Sequence, residues 1–173
     1  MTIEKQQQIF SCMAEVLNMN GFRAEVMQQE GAPLLLRCEA MRQGKVAKDV
    51  VVECCFIPMK LPNEDTGLLQ FFVTLFQGAP ERYAAQLRRA CAHCNDFCAL
   101  GHFGFFAEGG QIYLKHTTLL DASLELEKVI PFFADNIAVL MAAVARFIDG
   151  LAAVGFSGIP LEAALEQELF PAL

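Results

Sequence analysis

The residues with the clearest chemical capacity are Cys91, Cys94 and Cys98, spaced Cys-x-x-Cys-x-x-x-Cys, with His102 just beyond. At about 3.6 residues per turn these positions share one side of a helix, provided the helix continues that far. Thiolates and imidazole ligate zinc well. Structural zinc sites, however, pair a Cys-x-x-Cys knuckle with a second ligand pair from elsewhere, and Gly101 is placed to end the helix before His102. The favoured reading is that the three cysteines pack against a sheet, so no cofactor or metal is expected. A small metal- or thiol-dependent protein using Cys91, Cys94, Cys98 and His102 is the alternative.

Cys91-Ala-His93-Cys94 also has the spacing of a redox pair. Such pairs sit at a helix N-terminus, where the dipole lowers the thiol pKa. Here Cys91 lies about three turns past Pro80, which removes that help. Cys54 and Cys55 are neighbours in a strand-like run and point to opposite faces, as core packing requires. The seven cysteines are odd in number and sit mostly inside apolar segments. They read as reduced thiols used as small hydrophobes.

Acid–base and nucleophilic chemistry lack their usual markers. There are three histidines, His93, His102 and His116. Gly155-Phe-Ser157-Gly does not complete a nucleophile elbow, and no dinucleotide or phosphate loop is present. No catalytic residue is assigned, and the chain is expected not to be an enzyme.

Composition narrows the field further. The chain has 173 residues, net charge −7 and 54% hydrophobic residues, with 15 Phe and no Trp. That length suits one domain spanning residues 1–173. An acidic surface repels phosphate backbones, so no nucleic acid is expected as a partner. Arg82, Arg88 and Arg89 read as a solvated helix face. The N-terminus has no basic run followed by an apolar one, so no secretory signal is expected. The most apolar stretch, Val129 to Val154, is interrupted by Pro131, Asp135, Asn136, Arg146 and Asp149. It reads as a buried helix rather than a membrane span, and a cytoplasmic location is expected.

The elements that would position these residues follow from periodicity. Thr2 to Asn20 carries Ile3, Phe10 and Leu17 on one face, with Thr2 as cap and Asn20-Gly21 as stop. Strands are predicted over Phe22–Gln28, Pro33–Ala40, Asp49–Ile57 and Leu68–Phe76. Pro80-Glu81 opens a helix that runs to about Ala99. Phe103–Ala107 and Gln111–Thr117 flank a Glu108-Gly-Gly110 hairpin turn. Helix resumes after Asp121, with Pro131 as a boundary or kink, and runs to about Ala153. Pro160 to Phe170 adds a short terminal helix. The order is α-β-β-β-β-α-β-β-α, an α+β fold with an antiparallel sheet flanked by helices. Leu36, Val51, Phe72, Leu87, Leu114, Leu140 and Val144 are expected in the core.

The adjacent pairs Phe71-Phe72 and Phe105-Phe106 put aromatics on both faces of two strands. One face is then core and the other a candidate protein-binding surface, with Phe71, Phe72, Phe105 and Phe106 as its residues.

This arrangement resembles the YbjN-like family, whose fold is that of the class I type III secretion chaperones. The residues that carry the resemblance are Leu68-Leu-Gln-Phe-Phe entering a Pro80-Glu81 helix, Leu87 and Asn95 on that helix, Phe103–Ala107, Glu108-Gly-Gly110, Gln111–Leu114 and Thr118-Leu-Leu-Asp121 before a long helix. The resemblance implies a small acidic cytoplasmic protein, commonly dimeric, that binds proteins and does no known chemistry; the partner expected here is a protein client or regulator. One extra strand before the middle helix and the extension beyond Gly158 depart from the simplest plan of that fold. The homodimer expected here would use the middle helix, about Pro80 to Ala99, and the strand Leu68–Phe76.

Overall fold

The computed structural model describes residues 1–171. Helix α1 (Ile3–Met19) starts where the Thr2 hydroxyl accepts a hydrogen bond from the Lys5 N–H at 3.3 Å, satisfying an N-terminal donor. It stops at Asn20, followed by Gly21 at φ 85°. Strands β1 (Arg23–Met27), β2 (Leu35–Gln43), β3 (Lys48–Ile57) and β4 (Thr66–Phe76) follow. After a 3-10 turn at Glu81–Tyr83 comes helix α2 (Ala84–Asp96), then β5 (His102–Phe106) and β6 (Gln111–Asp121). Helix α3 (Leu126–Phe156) and the short α4 (Leu161–Glu166) complete the order. The strands form one antiparallel six-stranded sheet in the order β1-β2-β3-β4-β6-β5, so the fold is α+β.

The chain divides into two compact units. The first comprises Met1–Ala40, Val51–Phe72 and His116–Ala138; the second comprises Met41–Val50, Val73–Lys115 and the chain from Val139 on. In the first unit, Phe10 of α1 stacks on Phe56 of β3 at 5.2 Å between ring centroids. Phe133 of α3 stands edge-on to Phe10 at 6.1 Å and to Phe71 of β4 at 5.1 Å. In the second unit, Phe147 of α3 stands edge-on to Phe103 of β5 at 5.4 Å. The Asp149 carboxylate of α3 accepts the Lys45 and Val46 N–H groups at 3.0 and 2.9 Å, which fastens the β2–β3 turn to the helix. Gly110, at φ 59°, packs so tightly on the Ala79 backbone that a Cβ there would lie 2.3 Å from the Ala79 oxygen. The Glu108-Gly-Gly110 turn is therefore a docking point as well as a reversal.

Three sequence expectations are corrected, for the end of α2 and for Val51 and Phe72, and one is narrowed. Helix α2 ends at Asp96, not near Ala99, because Phe97 leaves helical geometry at φ −117°, ψ 2°. Of the two roles expected for Pro131, boundary or kink, the boundary falls away, because α3 continues through it. Pro131 cannot donate to the Glu127 carbonyl, but both residues lie on the exposed side, where water can serve that oxygen. Val51 and Phe72 are only half-buried, while their neighbours Val50, Val52, Phe71 and Val73 are the core residues. Slipping a strand assignment by one residue exchanges its two faces. Leu36, Leu87, Leu114, Leu140 and Val144 are buried.

By length and composition α3 could cross a membrane. In this structure its stripe Val129, Phe133, Ile137, Leu140, Val144, Phe147, Leu151 and Val154 is buried, at the spacing of a core-facing helix.

Truncating Leu140 to Ala should therefore lower unfolding free energy by about 2–5 kcal/mol in a denaturant titration, whereas Val51→Ala should cost under about half as much. Equal losses at the two positions would mean that the faces of β3 are assigned the wrong way round.

Candidate interaction surface

Burial alternates strictly along β3 from Val50 to Ile57 and along the whole of β4. The buried set of β3 and β4 faces the helices. The other set is half-exposed: Val51, Glu53, Cys55 and Ile57 on β3, and Leu68, Gln70 and Phe72 at the start of β4. On β2 the corresponding positions are Leu35, Arg37 and Glu39, opposite Met27, Glu25 and Arg23 of β1. Arg37 pairs there with Glu39 at 3.0 Å and Glu25 at 3.8 Å. Charges on this part of the face are thus mutually neutralised. Between Met27, Pro33, Leu35 and Cys55 the same face holds a hollow of about 310 Å³.

In the second unit, His102, Gly104 and Phe106 of β5 lie opposite Lys115, Tyr113 and Gln111 of β6. Phe106, 48% exposed, stacks on Tyr113 at 4.4 Å. The Tyr113 ring lies over Gly104, where a Cβ would meet its hydroxyl at 2.4 Å. Gln111 donates its side-chain N–H to the Thr74 hydroxyl at 3.0 Å.

The four aromatics singled out from the sequence separate cleanly. Phe71 is fully buried and has no surface to offer. Phe105 is half-buried on the helix side, with the Arg88 guanidinium 5.7 Å from its ring centre. Phe72 and Phe106 are on the uncovered side. The apolar face of α2, made by Ala84, Leu87, Ala90, Cys91 and Cys94, is buried in the core.

The cysteine constellation does not assemble. Cys91 and Cys94 are buried in α2, Cys98 lies past its end and donates its thiol hydrogen to the Leu100 carbonyl at 2.9 Å, and His102 is exposed on β5 with its ring 6.5 Å from Tyr113. Among the described residues no three His, Cys, Asp or Glu side chains are grouped to hold a metal ion. Burial pushes the Cys91 thiol up to about 12. Cys94 is pushed up as well, by burial and then by its neighbours Cys91 and Cys98. Burial likewise raises Cys38 to about 12, the Arg37 charge opposing it. Such thiols are protonated and poor nucleophiles at neutral pH.

Three residues with a clear structural task are missed or underused by sequence reasoning. Asn18 accepts the Ala24 N–H and donates to the Ala24 carbonyl, both at 2.9 Å. Asn95 does the same to Phe103, at 2.6 and 3.1 Å. The available signal was an Asn near a helix end, followed by a Gly and then an edge strand. Asp149 was read only as an interruption in an apolar run.

No protein-family model matches this chain, and comparison with curated proteins returns no match.

The raised thiols carry a pH prediction. A group that holds its proton more tightly when folded keeps its full contribution below its ordinary pKa, here 9.0. That contribution is lost as pH climbs from there towards about 12, at up to about 1.4 kcal/mol per pH unit for each thiol. Stability from denaturant titrations should fall over that window, and Cys91→Ala should shallow the fall. An unchanged slope in Cys91→Ala would show that this thiol ionises as easily folded as unfolded.

Proposed function

We propose that this protein is a non-catalytic protein-binding module, chaperone-like or regulatory, of the YbjN-like and type III secretion chaperone-like class. On this reading it works in the cytoplasm as a homodimer and engages a protein client or regulator through the face of its sheet that its own helices leave uncovered. The observation that carries the reading is the alternation on β3 and β4. Every second residue is buried, and among the residues between them Val51, Cys55, Ile57, Leu68 and Phe72 are apolar yet only half-buried, with Glu53 and Gln70 set among them. A face meant only for water would carry polar residues at those positions. Protein interfaces combine an apolar, aromatic centre with a polar rim, and the ion-paired Arg37, Glu25 and Glu39 lie beside the apolar positions as such a rim. The raised thiol pKa values and the scattered cysteines and histidines are consistent with a role that involves no chemistry.

Sedimentation equilibrium at micromolar concentration should give twice the chain mass of 19.1 kDa. Two copies of net charge −7 repel one another, so the dimer should tighten as salt rises from low ionic strength. Phe72→Ser should weaken it at least tenfold while leaving the circular dichroism spectrum intact. Client capture should fall in the same variant. A 19.1 kDa species at every concentration would remove the dimer, and capture indifferent to Phe72→Ser would remove the uncovered face as the binding surface.

A further inference from the structure

Strands β1 and β5 are the two edges of the sheet. An edge strand offers unpaired N–H and C=O groups that template another strand. In an antiparallel pair, facing residues alternate between those bonded to each other and those whose backbone groups point outward. Ala24 faces Cys38 and Phe103 faces Leu114. Both the N–H and the carbonyl of Ala24 are taken by the Asn18 carboxamide, so Ala24 is an outward-pointing residue. Phe103 is held by Asn95 in the same way.

A carboxamide presents an N–H donor beside a carbonyl acceptor, the same kinds of group that an incoming peptide would present. Each edge strand has five residues. Alternation leaves only one further outward-pointing residue within each, Val26 on β1 and Phe105 on β5. A strand needs several successive outward positions to dock, so each edge has been reduced to a single free step.

We propose that Asn18 and Asn95 are edge guards: their carboxamides stand in for an incoming strand and close both ends of the sheet to strand addition. Partners and further copies must then use the faces of the sheet. This holds whatever the protein binds, and its test does not involve a client.

The test compares wild type with Asn18→Ala, Asn95→Ala and the double variant in the full chain, with Val144→Ala as a control destabilised in the core. Hydrogen exchange should show the Ala24 and Phe103 amides protected in wild type, with protection at Phe103 falling at least tenfold in Asn95→Ala. Asn95→Asp keeps the acceptor for the Phe103 N–H but cannot donate to its carbonyl, and should retain most of that amide protection. Sedimentation velocity should show assemblies larger than the wild-type species in the Asn→Ala variants and none in Val144→Ala. Adding Phe105→Pro to Asn95→Ala removes the remaining outward N–H of β5 and should abolish the assemblies. Each single variant is read separately, so the result does not depend on the double variant folding. Unprotected Ala24 and Phe103 amides in wild type would overturn the proposal. So would assemblies equally abundant in Val144→Ala, or an unchanged size distribution in all Asn→Ala variants.

Discussion

Phe10 stacked on Phe56, with Phe133 edge-on to Phe10 and to Phe71, ties two helices and two central strands of the first unit together. Aromatic pairs in offset and edge-to-face geometry add about 0.5–1.5 kcal/mol each beyond the area they bury. The larger consequence is directional. Once Phe56 and Phe71 point at the helices, alternation dictates the orientation of every other residue on β3 and β4. Cys54, Val52, Leu69 and Val73 must go inward, and Val51, Cys55, Leu68 and Phe72 must go outward. The uncovered apolar face is thus a direct consequence of the aromatic cluster on the covered one.

The second unit adds a charged anchor to an aromatic contact of the same kind. Phe147 meets Phe103, and beside it Asp149 takes two backbone donors from the β2–β3 turn. A carboxylate accepting backbone N–H groups makes charge-assisted bonds, roughly twice as strong as neutral ones. The turn needs that anchor. It contains Ala47 at φ 49° and follows Arg42 at φ 54°, both in a left-handed region that non-glycine residues enter only at a cost. Gly44 fits there because a Cβ would fall 2.4 Å from the Ile148 side chain.

Much of this architecture is legible in the sequence because periodicity reports element type directly. The helix stop at Asn20-Gly21, the hairpin at Glu108-Gly-Gly110 and the four early strands all carry local signals. Face assignment is a different matter. Asp-Val-Val-Val-Glu-Cys-Cys-Phe-Ile and Leu-Leu-Gln-Phe-Phe-Val-Thr-Leu-Phe are nearly continuous apolar runs, so no alternation in residue type says which half points inward. Residue type alone would suit a strand covered on both faces, whereas each run is buried on one face and only half-buried on the other. That is why the sequence points equally to Val51 and Val52, and to Phe72 and Phe71, as core residues, while only Val52 and Phe71 hold those positions. The cysteine motif misleads for a related reason: identical spacing serves a metal ligand set and a core stripe, and only the end of α2 at Asp96 separates Cys98 from the other two. The roles of Asn18 and Asn95 depend on backbone six and eight residues away, which helix and strand periodicities do not encode.

The two kinds of surface on this sheet belong together physically. A sheet with one apolar uncovered face is exposed to two modes of association, stacking through that face and extension through its edges. Extension has no natural end, because each added strand presents a new edge. Stacking through a face can close on a two-fold axis and stop. If an apolar face is to remain available to a partner, the open-ended route has to be blocked by means that do not add bulk over that face. A side chain bonding in the plane of the sheet satisfies that condition, and a helix or loop laid across the face would not. Asn suits the task better than a charged residue because it satisfies a donor and an acceptor at once and adds nothing to a chain already at net charge −7. The position of each Asn near the end of a helix that packs along the edge strand means that forming the helix delivers the carboxamide to the strand it must close.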